Sequence, residues 1–576
     1  MPLTELTEPL GLKRAGHLLR RTTFGFTRSD VDTFATLTPR QAAERLYRQL
    51  LPMPEPPIDP RTGDEWVTRG ATSANSEEDQ LQGYFKAWFI GQMLSVQATP
   101  SLALAQSARE RIVFFLHTHF TAIQSKINNS RALYFQNQLL RTFALDALNT
   151  NPRINFKELS TLISVDNAML LHLDGHLNVK GSPNENYARE FMELFSIGRG
   201  LEGNVPTPVE PGDYVVFKEQ DVQAAARVFS GWTVDDQFET IDVLTLLPRG
   251  KVRGNPLNAS GHDNNIKEFS DRFNHHIIQP DPSLLNGEQA TEESALDEIR
   301  KLVDLIYSNP ETARNICRKV YRFFCYAPHD PEHSKALDDT IIDAMAEVFV
   351  NAGYKLQPVI EALICSQHFY EAGETIKNFG GIIKSPLDLV TGTLRFFGVT
   401  VPDIQTNPEA FYAFTGKINS ILEDLGLPFF EPYDVAGYEA YHQFPVYHRS
   451  WITPNFLARR YAFIRSVFNT MDDLFTVDAH AFVRDEFADV AADARTLITS
   501  LASYLFPMTD NLSFDNDLDE SASLTAQRLN YFKERFLQEF DEAYWTVRWN
   551  INASDLREQL DLLFNAMLQS PEYQLT

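Results

Sequence analysis

The chain has 576 residues, 43% hydrophobic and 22% charged, and is rich in Phe (42) and Tyr (20), so it can bury a large aromatic core. A formal net charge of -26 excludes nucleic acid as the main ligand, because phosphate-backbone binding draws on clustered Lys and Arg. Cys317, Cys325 and Cys365 make neither a disulfide framework nor a zinc spacing, and no apolar run is long enough to cross a membrane.

Hydrophobic periodicity predicts a mainly α protein. Residues 12–50 predict two short helices, with starts at Thr27-Arg28-Ser29-Asp30 and Pro39, followed by a proline-rich loop from Pro52 to Asp64. Helical periods then cover Glu77 to Val96, Ser107 to Phe120, Asn137 to Ala147 and Phe156 to Ser164. A Gly- and Pro-bearing loop from Leu201 to Tyr214 precedes a helix at Glu219 to Phe229. Residues 233–279 alternate apolar and polar around Gly and Asn, which predicts an irregular excursion with short strands. Helices resume at Ala295 to Ser308, Glu311 to Phe324, Ser334 to Asn351 and Lys355 to Cys365. A polar, proline-bearing stretch at Val399 to Pro408 divides a main helical domain, 1–400, from a helical C-terminal part, 401–576. The latter has periods at Phe411 to Leu425, Asn455 to Asn469, Ala491 to Leu505, Ser523 to Phe540 and Ser554 to Leu568.

The segment Pro183 to Phe195 carries the most chemistry. At ~100° per residue of regular helix, Glu185, Asn186, Arg189, Glu190 and Glu193 share an arc of roughly 140°, and Tyr187, Ala188, Phe191, Met192 and Phe195 line the rest. Crowded carboxylates beside a guanidinium push one another's pKa values apart, as a general acid–base site requires; the same pattern also suits an exposed face laced by helical ion pairs. The nearby Asp166-Asn167 and Asn184-Glu185-Asn186 amides favour function, since a solvated face has no need of them.

Three histidine groups invite a metal. His117 and His119 stand two apart, so in a regular helix their rings diverge by about 200° and share an ion only if the helix distorts. His172 and His176 have one-face spacing but Gly175 interrupts them, and no Glu follows His172 as a zincin motif requires. His262-Asp263 with Lys267 lies in a polar loop among Gly and Asn, where Asp263 can equally serve to accept backbone N–H bonds. No phosphate-cradling Gly loop, nucleophile elbow or kinase signature is present.

Several segments together resemble one bacterial family, domain of unknown function 1800. They are His17-Leu18-Leu19-Arg20-Arg21-Thr22-Thr23-Phe24-Gly25, His117-Thr118-His119-Phe120, Asn167-Ala168-Met169-Leu170 with Leu173-Asp174, and Lys180 to Glu190. Asp221-Val222 to Ala226-Arg227, Gly231-Trp232-Thr233, His262-Asp263 with Lys267, Lys384-Ser385-Pro386 and Trp451 to Arg459 complete the pattern. Tyr438 stands where the family often has Trp. The resemblance implies a large, mainly helical protein of no established activity, often exported, with a possible protein partner from a sulfatase-like family of unknown function, 1501. Absence of a visible leader points instead to the cytoplasm, so a periplasmic or extracellular place rests on the resemblance.

These observations assemble one expected site. Glu190 or Glu193 acts as acid or base beside Glu185, Asn184 and Asp174, Arg189 and Lys267 hold an anionic group, and His117, His119, His262 and Asp263 bind a divalent metal such as Zn, Mn or Fe. The expected activity is hydrolysis or group transfer on an anionic or glycan-like substrate; the alternative is a non-catalytic scaffold whose polar groups fix helix packing.

Overall fold

Helix starts are written into the chain as capping residues. Thr27, Thr38, Asn129, Asn155, Asp166, Thr291, Ser385, Thr453 and Asp493 each accept a backbone N–H from the first turn of the helix they precede, and Pro39, Pro386 and Pro454 occupy first positions where no N–H is needed. In the computed structural model, which describes residues 3–72, 74–371, 381–468, 475–507, 509–515, 524–553 and 556–576, the outcome is a mainly helical protein. The first fifty residues form three helices rather than two, Gly11–Thr22, Arg28–Ala35 and Pro39–Tyr47, because each of the two capped starts opens a helix of its own. The expected helix ends at Asn469, Ser523 and Ser554 lie outside the described residues.

Buried side chains from Leu10 to Tyr573 make one continuous hydrophobic cluster. The Glu78–Met93 helix packs against Pro408–Asp424, and Gly11–Thr22 against both Arg28–Ala35 and Ala494–Leu505, so both halves of the sequence contribute to it. Ala103–His119 packs on Ser130–Ala144 around a fully buried Glu110, whose carboxylate takes Arg141 Nη2 at 2.6 Å and Arg109 Nε at 3.0 Å. A buried carboxylate is tolerated there because two guanidiniums meet it; losing one would leave an uncompensated charge.

The excursion at 233–279 contains the strands found among the described residues, two short antiparallel ribbons. Trp232–Thr233 pairs with Lys251–Val252, and Lys267–Glu268 with Ile277–Ile278. Gly231, at φ +89°, sits where the backbones touch: a Cβ there would stand 2.5 Å from the His262 nitrogen. This crossing brings the 262–267 loop against the Glu219–Val228 helix. No helix among the described residues is long and apolar enough to cross a membrane.

Candidate functional site

The Pro183 to Phe195 segment is not a uniform helix. Asn184 caps an α-helix, Glu185–Glu190, which passes into a π-helical turn, Phe191–Phe195. The wider turn frees carbonyls, and side chains from distant elements take them up. His119 Nε2 meets Phe195 O at 3.0 Å, Asn315 Nδ2 donates to Ser196 O at 2.7 Å, and Lys319 Nζ donates to Leu194 O. Ser196 Oγ closes the end by donating to Phe191 O at 2.8 Å. Such single π turns recur at functional sites, and this one carries Glu193 just past Glu190.

Glu190 is half-buried and makes no hydrogen bond or ion pair among the described residues. Partial burial raises its pKa above the ordinary carboxylate value, Glu193 and Asp434 add to that, and Arg189 and Arg199 oppose it. Its neighbours are committed elsewhere. Arg199 pairs with Glu193 at 2.6 Å, and Asp434 lies 3.7 Å from His442 Nε2. Arg189 donates to Glu219 at 2.5 Å and to the Tyr214 hydroxyl at 3.1 Å, with Glu185 at 3.9 Å. Its guanidinium is therefore tied to protein acceptors and is not free to hold an anion.

Asn184 and Asp174 turn out to shape the chain. Asn184 Nδ2 donates to the carbonyls of Leu173 (3.3 Å) and Asp174 (3.0 Å), its own N–H donates to Asn178 Oδ1 (3.0 Å), and Asn178 Nδ2 reaches Ala226 O (2.8 Å). Asp174 adopts a left-handed φ of +55°, and its carboxylate is exposed.

The histidines and Asp263 do not form a common ligand set, and among the described residues no group of three or more His, Cys, Asp or Glu is arranged to hold a metal ion. His117 and His119 diverge as a regular helix demands. His117 Nε2 lies 3.3 Å from the Tyr438 hydroxyl, which also accepts the Phe430 N–H at 2.8 Å. The Phe430 ring covers the imidazole at 4.1 Å, and burial, with His172 nearby, pushes its pKa down to about 3. His119 is neutral for the same reason, burial, and donates to the π turn. His172 and His176 point to separate backbone groups, Ile123 N at 3.4 Å and Leu170 O at 2.9 Å, because the Asn167–His172 helix ends between them.

His262, Asp263 and Lys267 belong to a second network of hydrogen bonds and ion pairs. His262 Nδ1 donates to Ser230 O (2.9 Å), Asp263 takes Arg227 Nε (2.6 Å), and the Asp263 N–H donates to Ser230 Oγ (2.9 Å). Lys267 Nζ and His262 Nε2 (3.4 Å) converge on Glu298, all three side chains fully buried. Burial alone would raise Glu298, but the two cationic or donating partners hold it below the ordinary carboxylate value; burial lowers Lys267, with Glu298 partly restoring it. Along the Glu219–Val228 helix, Glu219 beside Arg189 and Arg227 beside Asp263 are ~12 Å apart at 1.5 Å per residue, so the two clusters are distinct.

Spacing does not single out Glu298, Lys319 or Asp434. The first two carry a readable sign, a charge inside an apolar helical stripe: Glu298 between Ala295 and Leu302, Lys319 between Ile316 and Phe323. Burial brings Lys319 down to about 8.

The architecture and these networks define a large α-helical protein with a half-buried carboxyl, Glu190, that has no partner among the described residues and stands where an α-helix passes into a π turn. The chain belongs to the family described as Protein of unknown function (DUF1800), whose family model matches residues 17–575, nearly its whole length. No curated protein and no solved structure matches it.

Proposed function

We propose that the protein is a hydrolase acting on a neutral, glycan-like substrate, with Glu190 as general acid–base and Glu193 and Asp434 as companion carboxylates. The observation that supports this is the isolation of Glu190. Its carboxyl has no partner among the described residues, its pKa is raised, and the groups around it are paired elsewhere. A carboxyl of raised pKa beside further carboxylates is the arrangement that glycoside hydrolysis uses, and that chemistry needs no resident metal. Glu185, Glu193, Glu219 and Asp434 make the surroundings acidic, which favours the neutral substrate over the anionic one.

The scaffold alternative draws on the His262–Glu298–Lys267 and Arg227–Asp263 network, which fixes packing without chemistry. A partner from the sulfatase-like family 1501 and a periplasmic or extracellular place draw on the family resemblance alone. Turnover of a panel of aryl glycosides and oligosaccharides by the native chain and by Glu190→Gln tests the proposal. Loss of the acid lowers kcat by about 10²–10⁴-fold; equal rates, or no turnover of any member by the folded native chain, would sink it.

A further inference from the structure

A cavity of about 40 Å³ lies where the Gly11–Thr22 helix, the Thr23–Phe26 turn, the Pro386–Phe396 helix and Tyr573 meet. Phe24, Phe396, Leu505 and the Tyr573 ring give it mainly apolar walls. Two cations line it, Lys384 and Arg20, each only 7% exposed. Lys384 Nζ stands 3.4 Å from the centre of the Tyr573 ring and has no hydrogen bond or ion pair among the described residues. Arg20 directs Nη2 at the carbonyls of Tyr504 (2.7 Å) and Phe506 (3.1 Å), and its Nε and Nη1 meet no acceptor among the described residues.

The acidic side chain in the lining, Asp388, is already engaged, and Thr576, which also lines the cavity, has its main-chain oxygen taken by Arg21 Nη2 at 2.9 Å. Asp388 pairs with Arg111 and accepts the Ser385 hydroxyl at 2.8 Å. Arg460, close behind, donates to the Lys384 carbonyl at 3.1 Å and brings more positive charge. A buried ammonium facing open space with no partner is costly unless something anionic meets it. A second observation points the same way. Gly392 lines the cavity in the middle of a helix, where glycine is less stable than alanine, although nothing stands within 4 Å of where its Cβ would be. The space beside it is open, although the Gly392 Cα itself stands 3.1 Å from where a Gly25 Cβ would be.

We propose that this cavity binds a small organic carboxylate, whose oxygens meet Lys384 and Arg20 and whose short aliphatic body lies against Phe24, Phe396 and Tyr573. The small volume suits a carboxylate with a short chain better than a bulkier ligand. Burial, Arg20 and Arg460 lower the proton affinity of Lys384 well below that of an ordinary lysine, with Asp388 opposing. A bound carboxylate raises it again, so binding weakens as pH rises past the value of the empty site.

Calorimetric titration of the full chain with sodium propionate at pH 6, 7.5 and 9, in buffers of different ionisation enthalpy, tests this. Propionate is expected to bind, more weakly as pH rises, with any proton taken up on binding read from the dependence of the heat on buffer ionisation. Lys384→Met should weaken it about 10- to 100-fold, the range for a lost charge-assisted hydrogen bond. Gly392→Leu fills the space while sparing both cations, so it should abolish binding and carries the test alone if Lys384→Met does not fold. Absence of propionate binding to the folded native chain, unchanged binding in the variants, or binding of inorganic phosphate in place of propionate would overturn the proposal.

Discussion

Replacing Lys267 by methionine should leave the Glu298 carboxylate fully buried, with the His262 imidazole at 3.4 Å as its remaining close partner. Breaking a buried ion pair on one side costs about 3–5 kcal/mol. Proton uptake by Glu298 sets a ceiling: neutralising a carboxyl of ordinary pKa, about 4.3, at pH 7 costs about 3.7 kcal/mol at 1.36 kcal/mol per unit. The expected loss is therefore about 3–4 kcal/mol at pH 7 and about 1 kcal/mol at pH 5, where protonation is cheap. The sign follows from Glu298 itself. In the native chain its folded pKa is lowered, so its contribution is fully present at both pH values and is lost only as pH falls through the folded pKa. Without Lys267, burial meets less opposition and raises it, so the variant takes up a proton between pH 7 and 5 and its penalty shrinks. Urea denaturation of Lys267→Met, Glu298→Gln and the double variant at both pH values measures this, and the double variant should recover about 2 kcal/mol. A Lys267→Met penalty below about 1 kcal/mol at pH 7, or one independent of pH, would refute the structural role given to this pair.

Two further outcomes follow from the buried groups. His117 and His172, pushed down to about 3 and about 4, chiefly by burial, stay neutral in the fold while the unfolded chain takes up protons below about 6.5. Stability is therefore lost as pH falls from 7 to 5, by about 2 kcal/mol for each, and denaturation midpoints across that interval check it. Gly231→Ala places a Cβ 2.5 Å from the His262 nitrogen at a φ of +89°, so circular dichroism melting should show a loss of about 2 kcal/mol or more.

What was legible in the sequence was local. Capping residues and apolar periods mark most helices, the Gly- and Asn-rich interval around 233–279 marks the irregular excursion, and the Pro183 to Phe195 segment marks the place of the free carboxyl. The π turn was not legible, because His119, Asn315 and Lys319 stabilise it from remote parts of the chain. Helical spacing likewise assumes an unbroken helix. It fails for His172 and His176, where the chain turns left-handed at Asp174, and it cannot show that Arg189 is already held by Glu219 and Tyr214. Lys267 read as a substrate cation because its partner, Glu298, lies on another element and is marked only by its place in an apolar stripe.

The most direct measurement of whether Glu190 is kept for chemistry at the expense of stability is thermal unfolding and glycoside turnover on one preparation of Glu190→Gln. Removing an unpartnered carboxylate that sits near Glu193 and Asp434 should leave the melting temperature unchanged or higher while turnover collapses. A lower melting temperature with turnover intact would contradict it.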